Sequence, residues 1–302
     1  MSARVAATVI GLIASFLLAL AAFYQQRAAR STTRRGHTMI GGAYALMSSL
    51  VRHRVWLTGW LVNLAGFGAQ AVALHLGSVA TVQPLLATQL LFALPMACLE
   101  RRVLPRGRDW ASALAICGGL VLLLVVVRVP SLTAQADRGR VVLASVAALA
   151  AIAVLVPVSA RLGRSALVVV TAGCAGLCFA MTAVFIKLTT EDLVDHGVAY
   201  TATDWVGYAL AGSTLLGLVL EQAAFANGPL PWAVATKESV SPITGYAVGV
   251  LAFPVAFPSG AGTVACLVGA GLLLIAGAFG LGASPSAELW ISRDEDFRAA
   301  ET

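Results

Sequence analysis

The sequence predicts an all-α polytopic membrane protein of about nine transmembrane helices, arranged in two inverted-topology repeats. Three observations carry this. The first is composition: 59% of the 302 residues are hydrophobic and 11% are charged, with a mean hydropathy of +0.87. A soluble domain averages about 45–50% apolar and about 25% charged residues. This chain therefore cannot be wrapped around one water-soluble core. The second observation is a series of nine apolar segments of spanning length, with all six tryptophans at or near their ends. The third is self-similarity at an offset of 151 residues.

A span requires about 20 apolar residues, within a range of about 17–25. In chain order the qualifying segments are 5–24, 55–76, 78–99, 110–127, 141–158, 165–186, 205–225, 231–257 and 262–282. Trp56, Trp60, Trp110, Trp205, Trp232 and Trp290 mark their ends, as amphipathic rings do where they meet headgroups. The first segment carries Arg4 and an Ala19-Leu20-Ala21 triplet. Its apolar run exceeds the usual 7–15 residues of a signal peptide, so a retained span is expected. Residues 39–51 (MIGGAYALMSSLV) are mildly apolar and suit a short interfacial helix.

Charge distribution orients the chain. The loop after the first span, within 25–54, holds Arg27, Arg30, Arg34, Arg35, Arg52 and Arg54. Arg101, Arg102, Arg106 and Arg108 follow the third span, Arg161 and Arg164 the fifth, and Arg293 and Arg298 lie in the tail. These regions alternate so as to share one side, and they hold fourteen of the twenty cations. The other side holds Arg4, Arg128, Arg138, Arg140 and Lys187. The bias places the N-terminus outside and the C-terminus in the cytoplasm, in a multi-pass protein of the plasma (inner) membrane. It also accounts for the net charge of +6 without a nucleic-acid partner. The acidic stretch 187–204 falls outside, in agreement. The five cysteines lie in apolar segments and are expected as packing residues.

Under the 151-residue shift, GFGAQAVALHLGS (66–78) meets GLVLEQAAFANGP (217–229), with Gly66 on Gly217. CGGLVLLL (117–124) meets VGAGLLLI (268–275). ASFLLALAAFYQQ (14–26) is similar to AGLCFAMTAVFIK (175–187). Spans one and six thus start the two copies. Five spans separate them, an odd number, so the copies insert in opposite directions. The expected organisation is a first repeat over 1–160 (five spans, with the Arg-rich cytoplasmic loop 25–54), a second over 161–284 (four spans) and a cytoplasmic tail, 285–302. Inverted repeats are a recurrent transporter architecture with the substrate site near the midplane.

The string GFGAQAVALHLGSVATVQPLLATQLLFALPMACLERR, followed by DW and a Gly-rich span, resembles the first repeat of EamA-type members of the drug/metabolite transporter superfamily. LEQAAFANGPLPWAVATKESVSPITGYAVGVLAF resembles the second. The nine-span, N-outside layout is similar to that of the NIPA-type magnesium transporters. The resemblance implies the fold and a transport role. It does not extend to Lys237-Glu238, which lies outside the common pattern, or to AFPSG, which ends the eighth span without the family's usual Glu.

Charged residues within spans are costly and face a partner or a wet cavity. The seventh and eighth spans flank the short turn NGPLP (227–231). Glu221 lies eight residues before Pro229 and Lys237 eight after it, so both sit about 12 Å from the turn at about 1.5 Å per residue. A Glu221–Lys237 pair follows, leaving Glu238 on a different helical face. Two other readings stay open: Lys237 snorkelling to headgroups, and a purely structural pair. Gln70, which coincides with Glu221 under the shift, joins Gln83, Gln89 and Asn63 as candidate substrate-binding or coupling residues. Pro84 and Pro242 each free a backbone carbonyl within a span.

The function expected is secondary transport of a small metabolite or drug-like solute, proton-coupled or gradient-driven, with Glu221 or Glu238 carrying the coupled proton. The alternatives are a divalent-cation (Mg²⁺) pathway and, from another class, a non-transporting membrane scaffold. Mg²⁺ demands oxygen ligands, and Lys237 would repel a cation. No HExxH, P-loop or GxSxG motif stands in a plausible setting, so neither an enzyme nor a cofactor or metal is expected. The partners expected are the lipid bilayer and a small-molecule substrate, with a homodimer allowed and no nucleic acid.

Overall fold

The computed structural model describes residues 3–33, 47–76, 82, 85–100, 104–126, 137–252 and 260–282. Among the described residues there is no strand, and nine helices of twelve residues or more follow one another. They are α1 (Ala3–Thr33), α2 (Arg54–Leu76), α3 (Gln89–Glu100), α4 (Gly107–Val126), α5 (Arg138–Leu162), α6 (Arg164–Thr203), α7 (Trp205–Asn227), α8 (Leu230–Ala252) and α9 (Ala261–Gly282). Six of these, α1, α4, α5, α6, α7 and α9, are long and apolar enough to cross a membrane. The chain is an all-α polytopic membrane protein.

Each apolar segment of the sequence overlaps one helix, and the differences lie at the ends. Helix α1 runs on from Tyr24 through QQRAARSTT, burying Gln25, Gln26 and Thr32. Helix α6 runs far past Ile186, so the stretch 187–204, expected as a loop, is helical as far as Thr203 apart from a break at Gly197. Its KLTTEDLVDH sequence holds helix formers and places Lys187 Nζ 3.7 Å from Glu191 Oε1, one turn on. At about 1.5 Å per residue, 40 residues would be far too long to span a bilayer straight. Gly197 breaks the helix, with φ 80° and ψ 176°, a conformation essentially confined to glycine. Of the third segment only Val82 and the part from Leu85 onward are described. Of the 39–51 stretch only residues 47–51 are, and they are helical; Trp290 and Pro84 lie outside the described residues.

Solvent preference is inverted relative to a soluble protein. Buried positions include Ser15, Gln26, Thr171, Asp192, Glu221 and Gln222, whereas Leu61, Val125, Leu143, Val154 and Phe279 are exposed. Helix α5 is the extreme case: Val142, Leu143, Val146, Leu149, Val154, Leu155 and Val158 all face outward. Water would reject that surface, while hydrocarbon accepts it, and buried polar groups then bond one another.

The chain divides into two compact units. One comprises residues 1–126, 225–235 and 261–302. In it α1 packs along α2, α3 against α1 and α4, and α4 along α9. The α4–α9 seam depends on small residues. A Cβ at Gly277 would lie 2.5 Å from Ile116 Cγ1 and 2.7 Å from the Ser112 carbonyl oxygen, and one at Gly119 would lie 3.0 Å from the Ala270 carbonyl oxygen. The other unit comprises 127–224 and 236–260. Its core joins Val141 of α5, Met181, Val184, Phe185 and Leu188 of α6, Val206 of α7 and Val248 of α8. A second cluster gathers Ile152, Cys174, Ala175, Cys178 and Leu220. These cysteines pack as small apolar side chains.

Candidate functional site

The α7–α8 hairpin turns at Gly228 and Pro229. Its arms bring Glu221 and Lys237 together: Lys237 Nζ donates to Glu221 Oε1 at 2.8 Å. The sequence expectation that Glu238 points elsewhere is corrected here. Lys237 Nζ lies 3.1 Å from Glu238 Oε1 as well. Adjacent helical residues differ by about 100°, yet a glutamate has enough methylenes to curl back to its neighbour's ammonium. Phe179 of α6 supplies a third wall, its ring centroid 5.7 Å from Nζ, within cation–π reach. The Lys237 side chain is 17% exposed, that of Glu221 is 11%, and that of Glu238 is 38%.

Backbone packing holds this arrangement. A Cβ at Gly176 of α6 would lie 2.7 Å from the Lys237 carbonyl oxygen and 3.1 Å from the Ser241 nitrogen. Only glycine lets α6 press so closely on α8 at the level of the charges. Pro242 has no N–H for the Glu238 carbonyl four residues back, so that carbonyl loses its helical donor. Ser239, buried beside these residues, has no hydrogen-bond partner for its Oγ among the described residues. Higher along the α6–α7 seam, Thr182 Oγ1 lies 3.0 Å from Ser213 Oγ and 3.4 Å from Thr214 Oγ1.

Attraction across 2.8 Å is about 6 kcal/mol at an effective dielectric of about 20. Removing both ions from water costs several kcal/mol per ion. The two effects nearly cancel, so the Glu221–Lys237 pair adds little stability that an apolar pair would not. The full set bears one negative charge more than it has positive charge.

The remaining candidates lie in the other unit. Asn63 and Gln70 are half-buried on α2, and Gln89 is buried at the start of α3. Gln83 lies outside the described residues. Gln26 donates through Nε2 to the Gly228 carbonyl oxygen at 2.6 Å, tying α1 to the hairpin turn.

Sequence reasoning missed a second charged cluster. Arg138, in the first turn of α5, pairs with Asp192 of α6 and, at 3.1 Å, with Asp204 at the α6–α7 junction. Asp192 is buried, and its Oδ2 has no partner among the described residues. The available signal was a cation in one loop and an excess of acids in the next loop on the same side.

No family model matches the chain, and no solved structure matches it. An uncharacterized protein of Corynebacterium glutamicum is 25% identical to it over 200 residues, covering 65% of this chain and 68% of that protein.

Proposed function

We propose that the protein is a secondary transporter of a small metabolite or drug-like solute, built from nine spans in two inverted repeats. The observation that carries this reading is the partly buried, net-negative Glu221–Lys237–Glu238 set. Ionisable groups inside a membrane protein are costly and mark substrate or ion paths. This set adds little stability, and its most exposed member, Glu238, is free to exchange its partner.

Equivalent contacts support the repeat. Gly66 of α2 faces Leu18 of α1, and Gly217 of α7 faces Cys178 and Phe179 of α6. Gly66 and Gly217 coincide under the 151-residue shift, and Leu18 coincides with Phe179 in the alignment of 14–26 with 175–187. Gly11 of α1 meets Leu85, four residues before α3, as Gly173 of α6 meets Thr236 of α8. Gly119 meets Ala270, its own counterpart under the shift. The α4–α9 contacts run antiparallel, with residue 112 near 277 and 280 and residue 119 near 270 and 274. A two-fold axis between opposed copies requires both features. The excess of cations on alternate loops supports an N-outside orientation in the plasma membrane.

The test uses purified protein in liposomes enclosing a pH-sensitive dye, challenged with a panel of small metabolites. Solute-dependent acidification is expected, and Glu238→Gln should abolish it. Mg²⁺ uptake that rises in Lys237→Gln would overturn this in favour of a divalent-cation pathway, since removing a buried cation lowers its barrier. Absence of any flux would favour a scaffold.

A further inference from the structure

We propose that the Glu221–Lys237–Glu238–Phe179 set is an ammonium site, that the solute it takes is an organic cation bearing a protonated amine, and that Lys237 is a tethered competitor for that site. The inference rests on the transport reading above and names the substrate class for it.

The site is already built around an ammonium. Lys237 Nζ has one carboxylate oxygen at 2.8 Å, a second at 3.1 Å and an aromatic ring at 5.7 Å. Carboxylates and a ring face are the groups that recognise ammonium ligands. An anionic solute would have to draw Lys237 away from both carboxylates and would then face them itself. A cationic solute meets the opposite field, because two acids share one base.

The two acids are not equivalent. Glu221 is the more buried and holds Lys237 at the shorter distance, whereas Glu238 is the more exposed and the more loosely held. The incoming ammonium takes Glu238, and Lys237 stays on Glu221. The backbone carbonyl of Glu238, deprived of its helical donor by Pro242, offers a neutral acceptor beside the carboxylate. Glu221 therefore acts as a positioning residue. By occupying Lys237 it leaves Glu238 for the solute. No bond is made or broken; one cation replaces another at a carboxylate.

The roles make a pattern of variants that a merely structural cluster would not produce. Glu238→Gln removes the exchangeable acid and should abolish cation binding. Glu221→Gln should also abolish it, although the residue does not contact the solute, because Lys237 then turns wholly to Glu238. Glu221→Gln with Lys237→Gln leaves Glu238 alone and should restore binding. Lys237→Gln by itself should tighten binding at least tenfold.

The probe is n-butylammonium, the Lys237 side chain without its backbone, against n-butanol and butyrate, which carry a neutral and an anionic head on chains of similar length. Melting temperature of the full-length protein in detergent reports binding. Saturable stabilisation of the native protein by n-butylammonium alone is expected, lost in Glu238→Gln and in Glu221→Gln and regained in the double variant. Should Lys237→Gln not fold, the double variant carries the same test. Stabilisation by butyrate, equal effects of all three probes, no effect of any, or a double variant as inactive as Glu221→Gln would each overturn the proposal. Since binding is read without transport, failed binding alongside solute flux defeats this inference alone. Binding without flux defeats the transport reading alone.

Discussion

At the scale of single residues, Lys237 is the most consequential side chain described. Lys237→Met leaves two carboxylates facing one another, and breaking a buried pair in this way costs about 3–5 kcal/mol. Glu221→Gln should be milder, because Lys237 keeps Glu238 at 3.1 Å. Lys237→Met combined with Glu221→Gln should recover most of the loss, since Glu238 can turn to solvent. Thermal unfolding in detergent checks the series; a double variant no more stable than the worse single one would show the pair to be inconsequential. Half of this site was legible in the sequence. Equal spacing of Glu221 and Lys237 about Pro229 fixed their common depth, whatever the details of packing. Glu238 was misplaced, because helical angles describe Cβ directions and ignore the reach of a flexible side chain. Arg138–Asp192–Asp204 was not legible at all, since it joins three elements whose meeting depends on tertiary packing.

At the scale of elements, two glycines decide geometry that hydropathy cannot see. Gly197 holds the break in α6, with Asp192 before it and Asp204 after it, both on Arg138. Nothing crowds its missing Cβ, so Gly197→Ala is penalised through the backbone alone, by about 1–3 kcal/mol. A lower melting temperature is expected; no change would mean that the break is not maintained. Gly176 is the opposite case, ordinary in backbone but crowded by the backbone of α8. Gly176→Ala must push α6 off α8 at the level of Lys237, with an overpacking cost of about 1–3 kcal/mol. It should weaken n-butylammonium binding as well as stability, whereas Gly197→Ala should lower stability alone. The sequence shows these as two glycines among 29. Apolar segments, in contrast, were visible because a helix that crosses the membrane must match the thickness of the hydrocarbon. Helix ends were less so, because the extensions of α1 and α6 are polar enough to read as loops.

At the scale of the whole molecule, parity ties the span count to orientation. Between Arg34 and Asp195 the sequence places five spans, the second to the sixth, and an odd number puts those two positions on opposite sides. Arg138 and Asp192 must share a side, because they form an ion pair. On the N-outside orientation proposed above, this pairing would also account for a cation on the side that positive-inside bias leaves poor in them. Arg138 is neutralised by Asp192 and Asp204 rather than offered to a membrane surface. Reporter fusions after Arg34 and after Asp195 should therefore report cytoplasm and exterior respectively. The reverse result would leave the span count standing and overturn the orientation. Two positions on one side would do the opposite damage: an even number of spans would lie between them, so one of the five does not cross. Suspicion would then fall on α2 or α3, which are not among the six helices apolar and long enough to cross by themselves. The opposed repeats would fail with it, because only an odd number of spans inserts the second copy upside down relative to the first.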